Sequence, residues 1–141
     1  MSSITISLSY EEIIRAVCAH HMVQSIAKRY PDGYAHSLIS DAQHEELCEL
    51  IDNAFSACAA RFARRCTLPF EPLTITFDDS IRLSSEPLRI FFKSAVIGMT
   101  LYEIAGVGSL PYALQLYDQV KHFLDMIAEP EVHVVNIDLY R

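Results

Sequence analysis

Leu88-Arg89-Ile90-Phe91-Phe92-Lys93-Ser94-Ala95-Val96-Ile97-Gly98-Met99-Thr100-Leu101-Tyr102-Glu103-Ile104-Ala105 has the length of about five helical turns. Only Arg89, Lys93, Ser94, Thr100 and Glu103 interrupt its apolar side chains. A helix lying on the outside of a domain carries an apolar stripe, whereas this one carries an apolar sleeve. Burial over most of its circumference is therefore expected, by its own chain or by a neighbouring subunit. Ser84-Ser85-Glu86-Pro87 starts the segment, because proline is tolerated in a first helical turn. Gly106-Val107-Gly108 ends it.

Three further segments have the spacing to cover that sleeve. Ser9-Tyr10-Glu11-Glu12 is a capping box, with Ser9 accepting from a helix amide and Glu12 reaching back. It predicts a helix from Tyr10 to about Arg29, closed by Pro31-Asp32-Gly33. Its apolar face shifts from Tyr10, Ile13, Ile14 and Val17 to Ala19, Val23, Ile26, Ala27 and Tyr30, as suits two different neighbours. Ser40-Asp41-Ala42-Gln43 caps a second helix running to about Cys66, with Leu47, Ile51, Ala54, Phe55, Cys58 and Phe62 as its stripe. Asp41, Glu45, Glu46 and Glu49 crowd its start and Arg61, Arg64 and Arg65 its end, complementing the helix dipole. Ser109 caps a last helix to about Ala128, which faces inward through Ala113, Leu116, Tyr117, Val120, Leu124 and Ile127.

Three short runs alternate as strands: Ile4 to Leu8, Leu73 to Phe77, and Val132 to Leu139. Asp78-Asp79-Ser80 turns after the second, and Ile81-Arg82-Leu83 is read as extended. The fold class expected is α+β, mainly α. A four-helix core with the third, apolar helix at its centre is expected, and a small sheet from the short strands, in one domain over residues 1–141. A terminal strand without a partner in its own chain would offer an open edge to another subunit.

The composition bounds the function. With 51% hydrophobic and 21% charged residues and a mean hydropathy of +0.19, the chain is apolar for its size. That excess points to surface hidden in an interface or, alternatively, to a dense single core. A net charge of -7 argues against general nucleic-acid binding, which needs an excess of Lys and Arg. Arg61, Arg64 and Arg65 are the only basic cluster, without interleaved aromatics. The segment Met1 to Ser7 lacks the basic and apolar regions of a signal peptide, and Arg89, Lys93 and Glu103 spoil the nearest candidate for a membrane span. A cytoplasmic protein is expected. Cys18, Cys48, Cys58 and Cys66 fall in segments read as helices, with no CxxC pair, and are read as small buried hydrophobes.

The chemical inventory is thin. His44 and Cys48 are spaced to share a helix face, beside Glu45 and Glu49, but no matching pair supplies a third and fourth ligand. His20 and His21 point roughly 100° apart on a helix and cannot grip one ion together. His122 is placed on a polar helix side, His133 in a strand and His36 in a loop. Asp78-Asp79 is explained by turn chemistry. Gly106-Val107-Gly108-Ser109 lacks the lysine of a phosphate-binding loop. The sequence therefore assigns no catalytic, cofactor-binding or metal-binding residue.

The order of these features resembles small, mostly helical proteins encoded among the head-tail structural genes of prophages. The resemblance lies in Ile4-Thr5-Ile6-Ser7-Leu8-Ser9-Tyr10-Glu11-Glu12, in Asp41 to Arg65, and in Leu73-Thr74-Ile75-Thr76-Phe77-Asp78-Asp79-Ser80 running into Leu88 to Ile104. It covers about the first 105 residues; the terminal strand departs from that layout. It implies a non-enzymatic ring or neck component, virion-associated where that layout holds, and carries no catalytic residue across. With the apolar excess, the sleeve helix and the possible free-edge strand, the function expected is a structural or interaction protein that self-associates, such as a head-tail connector or tail-completion component. The alternatives are a small regulatory protein-binding module and a metal-dependent enzyme built on His44, Glu45, Asp78 or Asp79.

Overall fold

A computed structural model describes residues 3–20, 41–68, 71–105 and 110–128. Its elements are β1 (Ile4–Ser7), α1 (Tyr10–Ala19), α2 (Asp41–Ala60), β2 (Cys66–Thr67), β3 (Thr74–Phe77), α3 (Ser85–Ala105) and α4 (Leu110–Ala128). The fold is α+β and mainly α, with four helices and one three-stranded antiparallel sheet among the described residues.

α3 is the central element, packing against α1, α2, α4 and β1. Leu88, Phe92, Ala95, Val96 and Met99 recur at helical spacing and are buried. α4 lies closest: a Cβ added at Gly98 would stand 2.8 Å from Val120 Cγ2. The missing side chain is what lets the two helices approach. Thr100, also fully buried, satisfies its hydroxyl by donating to the Val96 carbonyl at 2.8 Å.

The sheet order is β1-β3-β2, and β3 pairs on both sides. Ile4 opposes Phe77 and Ile6 opposes Ile75, while Cys66 opposes Phe77 from the other side. A relay of edge-to-face rings fastens this sheet to the helices. Phe62 meets Phe77 at 5.4 Å, Phe77 meets Phe92 at 5.6 Å, and Phe92 meets Phe55 at 5.3 Å. Each such pair contributes about 0.5–1.5 kcal/mol beyond simple burial.

Several boundaries differ from expectation. α1 ends at Ala19, because His20 turns to an extended conformation (φ -68°, ψ 142°); the expected continuation through residues 21–29 lies outside the described residues. α2 ends at Ala60 rather than near Cys66. There the backbone tightens to i→i−3 bonds, from Phe62 to the Ala59 carbonyl at 2.9 Å and from Arg65 to the Phe62 carbonyl at 2.7 Å. Cys66, expected in a helix, is therefore freed to pair with β3. β3 begins at Thr74, since Leu73 adopts a left-handed φ of 53°. Burial of the Leu73 side chain and a 2.9 Å bond from the Leu8 amide to its carbonyl hold it there. Ile81-Arg82-Leu83 joins no strand.

The expected strand Val132–Leu139, the Gly106–Ser109 segment, the cap at Ser40, and His21, His36 and His133 lie outside the described residues. No described helix is long and apolar enough to cross a membrane.

Candidate functional site

The polar groups singled out by sequence fall into separate places. His44 and Cys48 stand on one face of α2, with the Cys48 sulfur 3.7 Å from His44 Nδ1. Further along the same face, Asp52 accepts a 2.6 Å hydrogen bond from the Tyr10 hydroxyl of α1. Burial and this bond to Asp52 push the Tyr10 hydroxyl up to about 12. Burial, then the negative charges of Asp52 and Glu45, raise the Cys48 thiol above its ordinary value. A raised thiol is a poor nucleophile at neutral pH.

The remaining cysteines are no more reactive. All four are free, and burial raises the thiols of Cys18, Cys58 and Cys66, that of Cys58 to about 12. Cys58 is wholly buried, whereas Cys18, Cys48 and Cys66 are half-buried. The reading of cysteines as small hydrophobes fits Cys58 best.

Asp78 serves its own turn. Its Oδ1 accepts from the Ser80 amide at 2.9 Å and also from the Ser80 hydroxyl. These two bonds, hydroxyl first, hold the carboxyl below its usual range. Asp79 is exposed. His122 is exposed as well, its ring 6.0 Å from that of Phe123. Among the described residues, no group of three or more His, Cys, Asp and Glu side chains is placed to hold a metal ion.

The basic cluster is partly committed to the fold. Arg61 pairs with Asp125 of α4 at 2.7 Å. Arg65 donates to the Ser80 hydroxyl at 2.9 Å, to the Ser80 carbonyl at 3.1 Å and to the Ala128 carbonyl at 3.4 Å. It thus joins the exit of α2, the turn after β3 and the end of α4. Arg64 is exposed.

One cluster escaped the sequence reading. Glu12 does complete the capping box, accepting the Ser9 amide at 2.8 Å while the Ser9 hydroxyl accepts the Glu12 amide at 3.1 Å. The same carboxylate also receives Arg89 at 2.8 Å and Lys93 at 3.1 Å from α3. Burial alone would raise Glu12, but the Ser9 amide, Arg89 and Lys93 together bring it down to about 2. Arg89 further donates to the Ser7 carbonyl of β1 at 3.3 Å. Two of the five polar interruptions in the sleeve, Arg89 and Lys93, therefore answer a helix cap far away in sequence, 77 residues in the case of Arg89. Nothing local in the sequence marks that pairing.

A few large apolar side chains also reach the surface. Ile90 of α3 is 53% exposed, and Ile97 and Ile104, each seven residues further on, are half-buried. Intervals of seven place the three on one side of the helix. On α4, Leu114 is 53% and Tyr117 41% exposed, and the Tyr117 ring lies 5.3 Å from Tyr102 of α3. Comparison of the chain with protein-family models, with curated proteins and with solved structures finds no match.

Proposed function

We propose that this is a non-enzymatic structural or interaction protein that self-associates, in the manner of a connector or completion component of a phage-like particle. Its working place in this reading is the cytoplasm or the particle itself. The observation that carries the proposal is the strip Ile90, Ile97 and Ile104 on the outer side of the central helix. Isoleucines at intervals of seven form a seam of the kind that helices bury against one another. The raised thiols and the carboxylates engaged in caps and turns lend no support to nucleophilic or acid–base chemistry.

Light scattering across a concentration series, with negative-stain imaging of the same samples, tests it. The expected result is an oligomer that dissociates when Ile90 is replaced by Lys. A strict monomer at high concentration overturns the proposal. A monomer that captures one partner through Tyr102, Leu114 and Tyr117 would favour the regulatory module instead. That second reading rests on the exposed Leu114 and the paired tyrosine rings, since tyrosine is enriched at binding hot spots.

A further inference from the structure

β1 lies at an edge of the sheet, whose strand order is β1-β3-β2. Its backbone groups divide between two sides. The Leu8 amide donates to the Leu73 carbonyl at 2.9 Å, and an antiparallel ladder alternates, so Ile6 and Ile4 also turn their N–H and C=O groups to β3. Thr5 and Ser7 therefore turn theirs outward. Arg89 donates to the Ser7 carbonyl at 3.3 Å, which leaves both N–H groups and the Thr5 carbonyl without a backbone partner among the described residues. Edge strands are ordinarily guarded by charged side chains, proline or a bulge. Ser3-Ile4-Thr5-Ile6-Ser7-Leu8-Ser9 has no charged side chain and no proline, and its register with β3 runs without a bulge. β2, at the other edge, is only 2 residues long.

We propose that β1 pairs antiparallel with β1 of a second copy of this chain, about a two-fold axis at Thr5. This rests on the self-association proposed above and gives it a second surface. The edge is complementary to itself: each Thr5 N–H meets the Thr5 carbonyl of the other copy, and Ser7 stands opposite Ser3. Ile4 then faces Ile6 across the axis on the buried side of the sheet, which covers the half-buried Ile4, while Thr5 and Ser7 stay on the exposed side. The two three-stranded sheets become one continuous sheet. Charge favours the same place, since copies carrying a net charge of -7 repel one another least where their side chains are neutral. A strand of 4 residues buries far less than the roughly 1,200 Å² of a stable interface, so the edge strengthens the association of the α3 strip rather than replacing it.

Oxidative cross-linking and sedimentation of the full chain test it. Opposed residues of a hydrogen-bonded antiparallel pair have Cα atoms about 5.5 Å apart, within the span of a disulfide. Thr5→Cys is therefore expected to form a covalent dimer on mild oxidation, above the level that the four native cysteines give in the wild type. Ser7→Cys is not, because its counterpart is displaced about 13 Å along the strand. Thr5→Pro removes an outward N–H, which an edge strand tolerates, and should weaken self-association at least about ten-fold with little change in melting temperature. Thr5→Val also loses the hydroxyl bond to Thr76 but keeps the N–H, and should associate like the wild type. A Thr5→Cys chain that cross-links no better than Ser7→Cys overturns the pairing. If, in addition, Thr5→Pro melts far below the wild type, the edge is filled within the chain. Association lost in Ile90→Lys but intact in Thr5→Pro overturns the edge pairing alone, whereas a strictly monomeric wild type overturns the self-association beneath it.

Discussion

The two sides of α3 carry the same kinds of residue and meet opposite fates. On the inner side Leu88, Phe92, Ala95 and Val96 are wholly excluded from water. On the outer side Ile90 is more than half exposed, with Ile97 and Ile104 only partly covered. Hydrophobicity alone does not separate these sets; the direction of α1, α2, α4 and the sheet does. The comparison shows that the apolar run of α3 extends beyond the part its described neighbours bury.

The sharpest way to break this comparison is at Phe92, which joins the rings of Phe55 and Phe77. Phe92→Ala should cost about 3–5 kcal/mol by denaturant melting. Phe91 is half-buried against Phe123, at 6.5 Å, and Phe91→Ala should cost clearly less. Equal losses would mean the two sides are packed alike. Both phenylalanines lie side by side in the same apolar run of sequence; only the structure separates them.

Gly98→Ala comes next. Alanine gains about 1 kcal/mol of helix propensity, but overpacking costs about 1–3 kcal/mol where the neighbour is a stiff β-branched side chain. Val120 is that neighbour, so the variant should be less stable, and adding Val120→Ala should restore most of the loss. A stabilised Gly98→Ala would show that α3 and α4 can move apart freely.

Glu12→Gln should cost about 1 kcal/mol, since it weakens a cap and two ion pairs that remain partly hydrated. The carboxyl titrates near 2 in the fold against an ordinary 4.5. Its contribution is therefore complete above about pH 4.5 and disappears as the pH falls toward 2. Tyr10 acts at the other extreme. Its hydroxyl is raised from 10.0 to about 12, so what it adds is complete below pH 10 and lost as the pH climbs toward 12. Acid and alkaline melts of Glu12→Gln and Tyr10→Phe should each lose one of these limbs relative to the wild type. The smallest effect on stability belongs to Ile90→Lys, within about 0.5 kcal/mol, even though it is expected to abolish self-association.

The periodic features were legible in the sequence. The stripe of α2, the cap at Ser9 and Glu12, and the apolar character of α3 follow from spacing alone. The α1 boundary was not legible, because no glycine or proline stands at His20 to mark it. β2 was invisible for a different reason. Two residues carry no alternation, and Cys66–Thr67 becomes a strand only through Phe77 and Thr76 opposite. Arg65 reads as one more charge at a helix end, yet its partners Ser80 and Ala128 are brought to it by tertiary packing. Sequence spacing puts His44 and Cys48 on one face of α2, and the structure adds that sulfur and Nδ1 meet there at 3.7 Å.

The pairing of β1 with β3 has a consequence for the order in which the chain is assembled. Ile4 is synthesised ahead of Phe77 and cannot pair with it until the intervening residues have emerged. Throughout that interval an alternating apolar segment waits with its hydrogen-bonding edge unfilled. Closing so long a loop is entropically slow, whereas α3 and α4 adjoin in sequence and can pair at once. The hairpin of α3 and α4 should therefore fold ahead of the sheet, and the N-terminal strand should be the last described element to dock. Crowded nascent chains are then most exposed to mispairing at β1, far in sequence from the helix that dominates the core.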